Sequence, residues 1–222
     1  MEGTFLKNLI IVGAGGFGRE VFHWLKDWID AYDTRRYDFQ IKGFLSLDKS
    51  ELDGFDIPIG ILGDEETYEY QKNDLFVMGV GQPGLKRKIA NRMLELKAEF
   101  FTLIHPTAIV CSSAKIGTGV VVCPFSTVSS DVGLGDFVML NAFASVGHDC
   151  SVGDFCVLSS YANLNGFVTL ESEVFLGTRA TVVASRTVGT QSRLSAHALV
   201  VSNVPSQTTV LANAGRFIPN LK

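Results

Sequence analysis

Every sixth residue from Ile104 to Val200 is Ile, Leu or Val, seventeen times in succession without a slip. A period of six fits neither the 3.6-residue turn of a helix nor the two-residue alternation of a flat strand. It is the beat of a chain wound into a prism, with one repeat laid along each face. Four residues after each aliphatic stands a small or β-branched side chain, from Ala108, Ala114 and Val120 through to Ala198 and Val204, and only Arg186 breaks the series. Positions two apart on a strand share a face, so the small residue and the next aliphatic both point inward. The residues after each aliphatic are often Gly, Asn, Ser, Asp or Pro, which suits a corner. Three corners close a coil of eighteen residues, and the register is expected to hold from Ile104 to Pro205. Stacking such coils aligns Phe125, Phe143 and Tyr161 as one outward ladder and Phe137 with Phe155 as another. Exposed aromatic columns mark contact surfaces. A neighbouring subunit is the expected cover, ahead of the N-terminal region or the tail.

The chain before residue 104 has a different rhythm. Leu9–Val12 reads as a strand and runs into Gly13-Ala14-Gly15-Gly16-Phe17-Gly18, after which Arg19–Ala31 reads as a helix. Phe39–Leu45 reads as a second strand, Asp64–Gln71 as a short helix, Leu75–Val80 as a third strand and Leu85–Leu96 as a helix. This βαβ alternation predicts a small, Rossmann-like parallel α/β sheet. Two domains are therefore expected, residues 1–103 and residues 104–222. The glycines at 13, 15 and 18 form GxGxxG between strand and helix, a loop that lets backbone N–H groups approach a phosphate. A dinucleotide is one ligand of such a loop, but the domain is half the usual size. The second strand also ends in Ser46-Leu47, with Asp48 just beyond, rather than in an acidic residue. A purely structural glycine turn is the alternative. A second glycine loop, Gly81-Gln82-Pro83-Gly84, follows the third strand, and strand C-termini are where open α/β sheets bind ligands. One of Lys86, Arg87 and Lys88 is placed to reach a diphosphate, although such a run is usually a solvated helix face.

The remaining composition narrows the class. A net charge of −4 without a basic run argues against nucleic-acid binding. The apolar N-terminal stretch is too short for a membrane span and opens into a glycine turn, so no membrane insertion is expected. The four cysteines lack metal-type spacing: Cys150 and Cys156 take inward positions, Cys111 and Cys123 corners. Buried thiols in a reducing cytoplasm, with no metal, are the expectation.

Of the four histidines, His23 falls in a helix, His105 opens the first coil and His197 points outward near the end. His148 sits at a corner in Val146-Gly147-His148-Asp149-Cys150, beside a carboxylate. A neighbouring carboxylate favours the charged form of an imidazole. A base working near neutral pH is what an amine or hydroxyl attacking a thioester needs. A plain polar corner is the alternative.

A glycine-loop domain followed by hexapeptide repeats resembles the bacterial nucleotide-amino-sugar N-acetyltransferases and their relatives the sialic acid O-acetyltransferases (the PglD/NeuD type). The resemblance runs through Ile11–Gly18, Gly43-Phe44-Leu45, the Gly81 loop, His105-Pro106-Thr107-Ala108, Gly147-His148-Asp149-Cys150 and Val152-Gly153-Asp154-Phe155. It implies a left-handed parallel β-helix, a homotrimer, and acetyl-CoA held between neighbouring prisms. It implies an acetyl group moved to the amine of a nucleotide-linked sugar, with His148 as general base supported by Asp149. The nucleotide sugar is expected against Gly13, Gly15, Gly16, Phe17, Ser46, Leu47 and Gly81. Acetyl-CoA is expected along Val157, Gly166, Thr178, Ala184 and Ala196, of which the last four share one corner position of the repeat. The alternatives are O-acetylation of a sugar hydroxyl, or a trimer that binds a nucleotide sugar without catalysis.

Three departures stand out. Ser46-Leu47 replaces a pair of acidic residues, and Val157 stands where some members carry a second histidine. The tail Ala212-Asn213-Ala214-Gly215-Arg216 lacks a proline. Arg186, in an inward slot near the coenzyme end, has the option of turning outward toward a phosphate.

Overall fold

The computed structural model describes residues 5–32 and 37–213. Four strands, β1 (Phe5–Val12), β2 (Tyr37–Leu45), β3 (Ile61–Gly63) and β4 (Asp74–Met78), form a parallel sheet in the order β3-β2-β1-β4. The apolar run Leu9–Val12 lies in β1, one of the two interior strands, where both faces are covered. Leu9 and Ile11 pack with Val21, Phe22 and Leu25 of α1 (Gly16–Ala31). Ile10 and Val12 face the other way, onto Ala90 and Met93 of α2 (Pro83–Glu95). No described helix is long and apolar enough to cross a membrane.

From Leu103 to Val210 the chain is a left-handed parallel β-helix. Eighteen two-residue strands, from β5 (Leu103–Ile104) to β22 (Thr209–Val210), stack into sheets of seven, six and five. Leu140 pairs with Val122 below and Leu158 above, each eighteen residues away, as the repeat predicts. The aliphatic and small positions together fill the axis. Every corner from Phe125 to His197 holds one residue at φ +55° to +62°, and none of them is glycine. An L-residue there costs roughly 1–2 kcal/mol. Hydrogen bonds between coils offset it: the Asp149 N–H donates to Ser130 O at 3.1 Å and the Phe167 N–H to His148 O at 3.0 Å.

Three expectations need correction. The segment 64–71 makes turns, not a helix. Asp64 Oδ1 accepts the N–H groups of Glu66 and Thr67 as a helix cap would. The chain is then drawn inward, because the Tyr68 hydroxyl donates to Asp74 at 2.8 Å and the Tyr70 ring packs edge-on against Phe76. Second, the register holds only to Val200. Val204 bridges Val188, and β22 pairs with β20 (Arg193–Leu194), both at an offset of sixteen. The last coil is two residues short, and the Asn203 side chain, accepting the Thr187 N–H at 3.0 Å, fills the gap. Third, the two aromatic ladders have different fates. Phe137 and Phe155 stack at 5.2 Å, and the N-terminal unit covers them through Phe100, which meets Phe137 edge-on at 4.8 Å. Phe125, Phe143 and Tyr161 stack at 5.0 and 4.8 Å but stay exposed (54%, 44% and 47%).

Candidate functional site

A cleft of about 540 Å³ opens over the C-terminal ends of β1, β2 and β4. Gly13, Gly15, Gly16, Phe17, Ser46, Leu47 and Gly81, the residues expected from the sequence, all line it. Gly13 holds φ +97°, and a Cβ on Gly18 would fall 2.0 Å from the Gly13 carbonyl oxygen. The first glycine thus makes the turn and the third lets helix and loop touch. Gly15 is the N-cap of α1 and offers no side chain, and the first turn has no acidic residue. The N–H groups there are left to the cleft, at the positive end of the helix dipole. The N-terminus of α2 differs, because the Gln82 side chain accepts the Leu85 N–H and closes it.

The basic run Lys86-Arg87-Lys88 divides three ways. Lys88 lines the cleft together with Arg92, which is paired with Glu66. Arg87 turns to Glu173 on the prism, 3.2 Å away. Lys86 is fully buried, donating to the carbonyls of Phe137 at 2.6 Å and Cys156 at 3.3 Å. Burial pushes its ammonium down to about 7. A diphosphate is therefore open to Lys88, not to Lys86.

His148 stands at the corner between the six-stranded and five-stranded sheets. Its Nδ1 lies 2.8 Å from Asp149 Oδ2. A carboxylate only accepts, so Nδ1 is the donor, and in the neutral ring the lone pair stands on Nε2. The Phe167 ring meets the imidazole edge-on at 5.1 Å. One coil above His148 is Gly166, where a Cβ would fall 2.6 Å from His148 Cε1 and Nε2. Absence of a side chain at 166 is what gives the imidazole its place. The repeat continues the same corner to Ala184, while Thr178 and Ala196 occupy the opposite edge of the six-stranded sheet. Thr178, Ala184 and Ala196 are exposed and Gly166 is half-buried, which gives each edge a row of small groups beside its left-handed corner residues. Val157 stands apart, buried in the seven-stranded sheet between Met139 and Phe175. Arg186 reaches outward only as far as the carbonyls of Val201 and Ser185, at 3.0 and 3.1 Å. In the tail, Ala214, Gly215 and Arg216 lie outside the described residues.

Of the other histidines, His105 is buried, with Nε2 3.3 Å from Asp27 on α1, and His23 and His197 are exposed. Cys123, Cys150 and Cys156 are buried free thiols and Cys111 is exposed. Among the described residues no cluster of His, Cys, Asp and Glu is arranged to hold a metal. Glu51, which also lines the cleft, escaped the sequence reading because a turn carries it there from six residues beyond the end of β2.

Residues 8–93 match the PglD N-terminal domain family. A UDP-N-acetylbacillosamine N-acetyltransferase of Bacillus subtilis (strain 168) is 30% identical over 117 residues, 53% of this chain. The match spans about half the length of that relative (51%). The acetyltransferase domain of PglB from Neisseria gonorrhoeae FA1090, solved with acetyl coenzyme A, is 28% identical. It superposes with a TM-score of 0.81 over 93% of this chain and 96% of that one. PerB from Caulobacter crescentus, solved with CoA and GDP-perosamine, shares the fold at 24% identity, with a TM-score of 0.79 over 94% of each chain. The resemblance read from the motifs therefore holds in sequence and in fold.

Proposed function

We propose that this chain transfers an acetyl group from acetyl-CoA to the amine of a nucleotide-linked amino sugar. The observation that carries the reading is the His148–Asp149 pair, exposed at a prism corner with Nε2 unengaged by Asp149 and with Gly166 making room for the ring. The nucleotide lies in the glycine-loop cleft, its phosphates on the open N-terminus of α1. The amine attacks the thioester carbonyl carbon and the C–S bond breaks. One proton moves, from the amine to His148 Nε2 and from there to the departing sulfur. Asp149 holds the ring in the tautomer that can receive it, and no acyl-enzyme forms. The likeness to relatives named as N-acetyltransferases, one of them solved with acetyl coenzyme A, supports this reading.

The working unit in this reading is a homotrimer. The cleft is lined by residues of the N-terminal unit alone, while His148 lies on the prism. The two small-residue edges flank one sheet and face apart, so one groove takes one edge from each of two copies. The exposed Phe125–Phe143–Tyr161 ladder lies on the Thr178 edge and supplies apolar area for that contact.

The test is His148→Ala, assayed by thiol release on a panel of nucleotide amino sugars. Turnover should fall about 10²–10⁴-fold, the range of a general base. Undiminished turnover would remove His148 from the mechanism. Thiol release with hydroxyl acceptors alone would replace N- with O-acetylation, and nucleotide-sugar binding without acetyl-CoA binding would mark a non-catalytic trimer.

A further inference from the structure

Strand β2 ends at Leu45 and runs into Ser46-Leu47, without the carboxylate that takes ribose hydroxyls at this strand end in nucleotide-binding sheets. The structure delivers a carboxylate to the same place by another route. Glu51 lines the cleft from the turn after β2, and its Oε2 accepts the Ser46 hydroxyl at 2.6 Å. That bond fixes the group and points Oε1 across the cleft, 3.8 Å from where a Cβ on Gly15 would stand. The turn is itself tied to the glycine loop: Arg19 donates to Ala14 O and Glu51 O, both at 3.3 Å, with its guanidinium 3.6 Å above the Phe55 ring. Asp48, nearer in sequence, spends Oδ1 on the N–H and hydroxyl of Ser50, at 2.9 and 2.6 Å.

A carboxylate beside a phosphate cradle repels a bare phosphate. A hydroxyl-bearing group placed between the two turns that repulsion into a hydrogen bond. We infer that Glu51 is the ribose-recognising residue of this cleft, so that the chain selects ribonucleoside diphosphate sugars over 2′-deoxy ones. This inference rests on reading the cleft as a nucleotide-sugar site. Ser46 positions the carboxylate and Oε1 accepts from the 2′-hydroxyl.

The experiment is titration calorimetry of the full chain with UDP, GDP, CDP and ADP, each beside its 2′-deoxy counterpart. It is run on wild type, Glu51→Ala and Glu51→Gln. For the base that binds, wild type should prefer the ribonucleotide roughly ten- to a hundred-fold, the size of a hydrogen bond to a charged group. Glu51→Ala should bring the ratio to near one with the deoxynucleotide affinity retained or raised, because the repulsion leaves with the carboxylate, and retained binding also certifies its fold. Glu51→Gln, which keeps the size and one acceptor, reads the same ratio if the alanine variant does not fold, and should fall between. Equal ribo and deoxy affinities in wild type, or a preference that survives Glu51→Ala, overturns the role of Glu51 while leaving the cleft a nucleotide site. Failure of every nucleotide to bind overturns the cleft reading itself, and the role of Glu51 with it.

Discussion

Gly166→Ala separates a role in seating His148 from a role in the fold. The added Cβ would stand 2.6 Å from the imidazole Cε1 and Nε2, against the 3.4 Å where ordinary contact begins. The ring must retreat by the difference, about 0.8 Å, or rotate away. Either movement strains or breaks the 2.8 Å bond to Asp149 and takes Nε2 from its place. Misplacing a reacting group by about 1 Å costs on the order of 10²-fold in rate. Stability should respond little, because the His148 side chain is 55% exposed and has solvent to swing into. Away from buried or strained sites, changes stay within about 0.5 kcal/mol. The expected result is a fall in thiol-release turnover of about 10²-fold, with a melting temperature close to wild type and His148→Ala adding little further loss. Full turnover in Gly166→Ala would refute the reasoning, as would a loss of rate that simply tracks a loss of fold.

Lys86 should tie stability to pH. Below about pH 7 the folded state carries the whole cost of a buried ammonium; between about 7 and 10.5 the folded form sheds its proton first, so stability rises. Urea titrations across that window should show the rise in wild type and a flatter difference in Lys86→Met. Phe137→Ala, which removes a ring buried between Phe100 and Phe155, should cost about 3–5 kcal/mol in the same assay. Phe143→Ala with Tyr161→Ala should leave each chain folded and shift sedimentation toward smaller species. Burial alone would raise the Asp74 carboxyl, but bonds from Asn8, Tyr68 and the Gln71 N–H and the charge of Lys42 hold it below its usual range. Its contribution is present above the ordinary carboxylate range and is lost as pH falls through the lowered value. Asp74→Asn should therefore flatten the acid limb of the stability curve, as read by circular dichroism.

The prism was legible because its period is strict and each buried position repeats the same environment, coil on coil. The slip after Val200 was hidden because Val204 is apolar in either register and satisfies the inward pattern at both offsets. The cleft was legible from Gly13, Gly15 and Gly18, whose conformations serve one kind of turn. Glu51 was not, because a carboxylate six residues past a strand end says nothing about which way the intervening turn folds. Lys86 had a signal that the basic run masked. Pro83, Lys86, Ala90 and Met93 fall on one helical stripe, and that stripe is the buried one. The two aromatic ladders look alike in sequence; only the placement of the N-terminal unit on one corner and not on the other tells them apart.

The left-handed corner residues have a consequence for how such a chain diverges. The strain at each corner belongs to the backbone and is much the same whether the side chain is Phe, Asp, Arg or Gln. Coil closure thus accepts a wide range of side chains unbranched at Cβ at a corner, while the axis tolerates only aliphatic and small groups. Sequence change is channelled onto three outer edges, each a rack that repeats the same corner positions in every coil at fixed height. Base, coenzyme contacts and subunit contacts in the proposed reading all hang on those racks. A new acceptor or a new partner can therefore be tried rung by rung while the axis stays as it is.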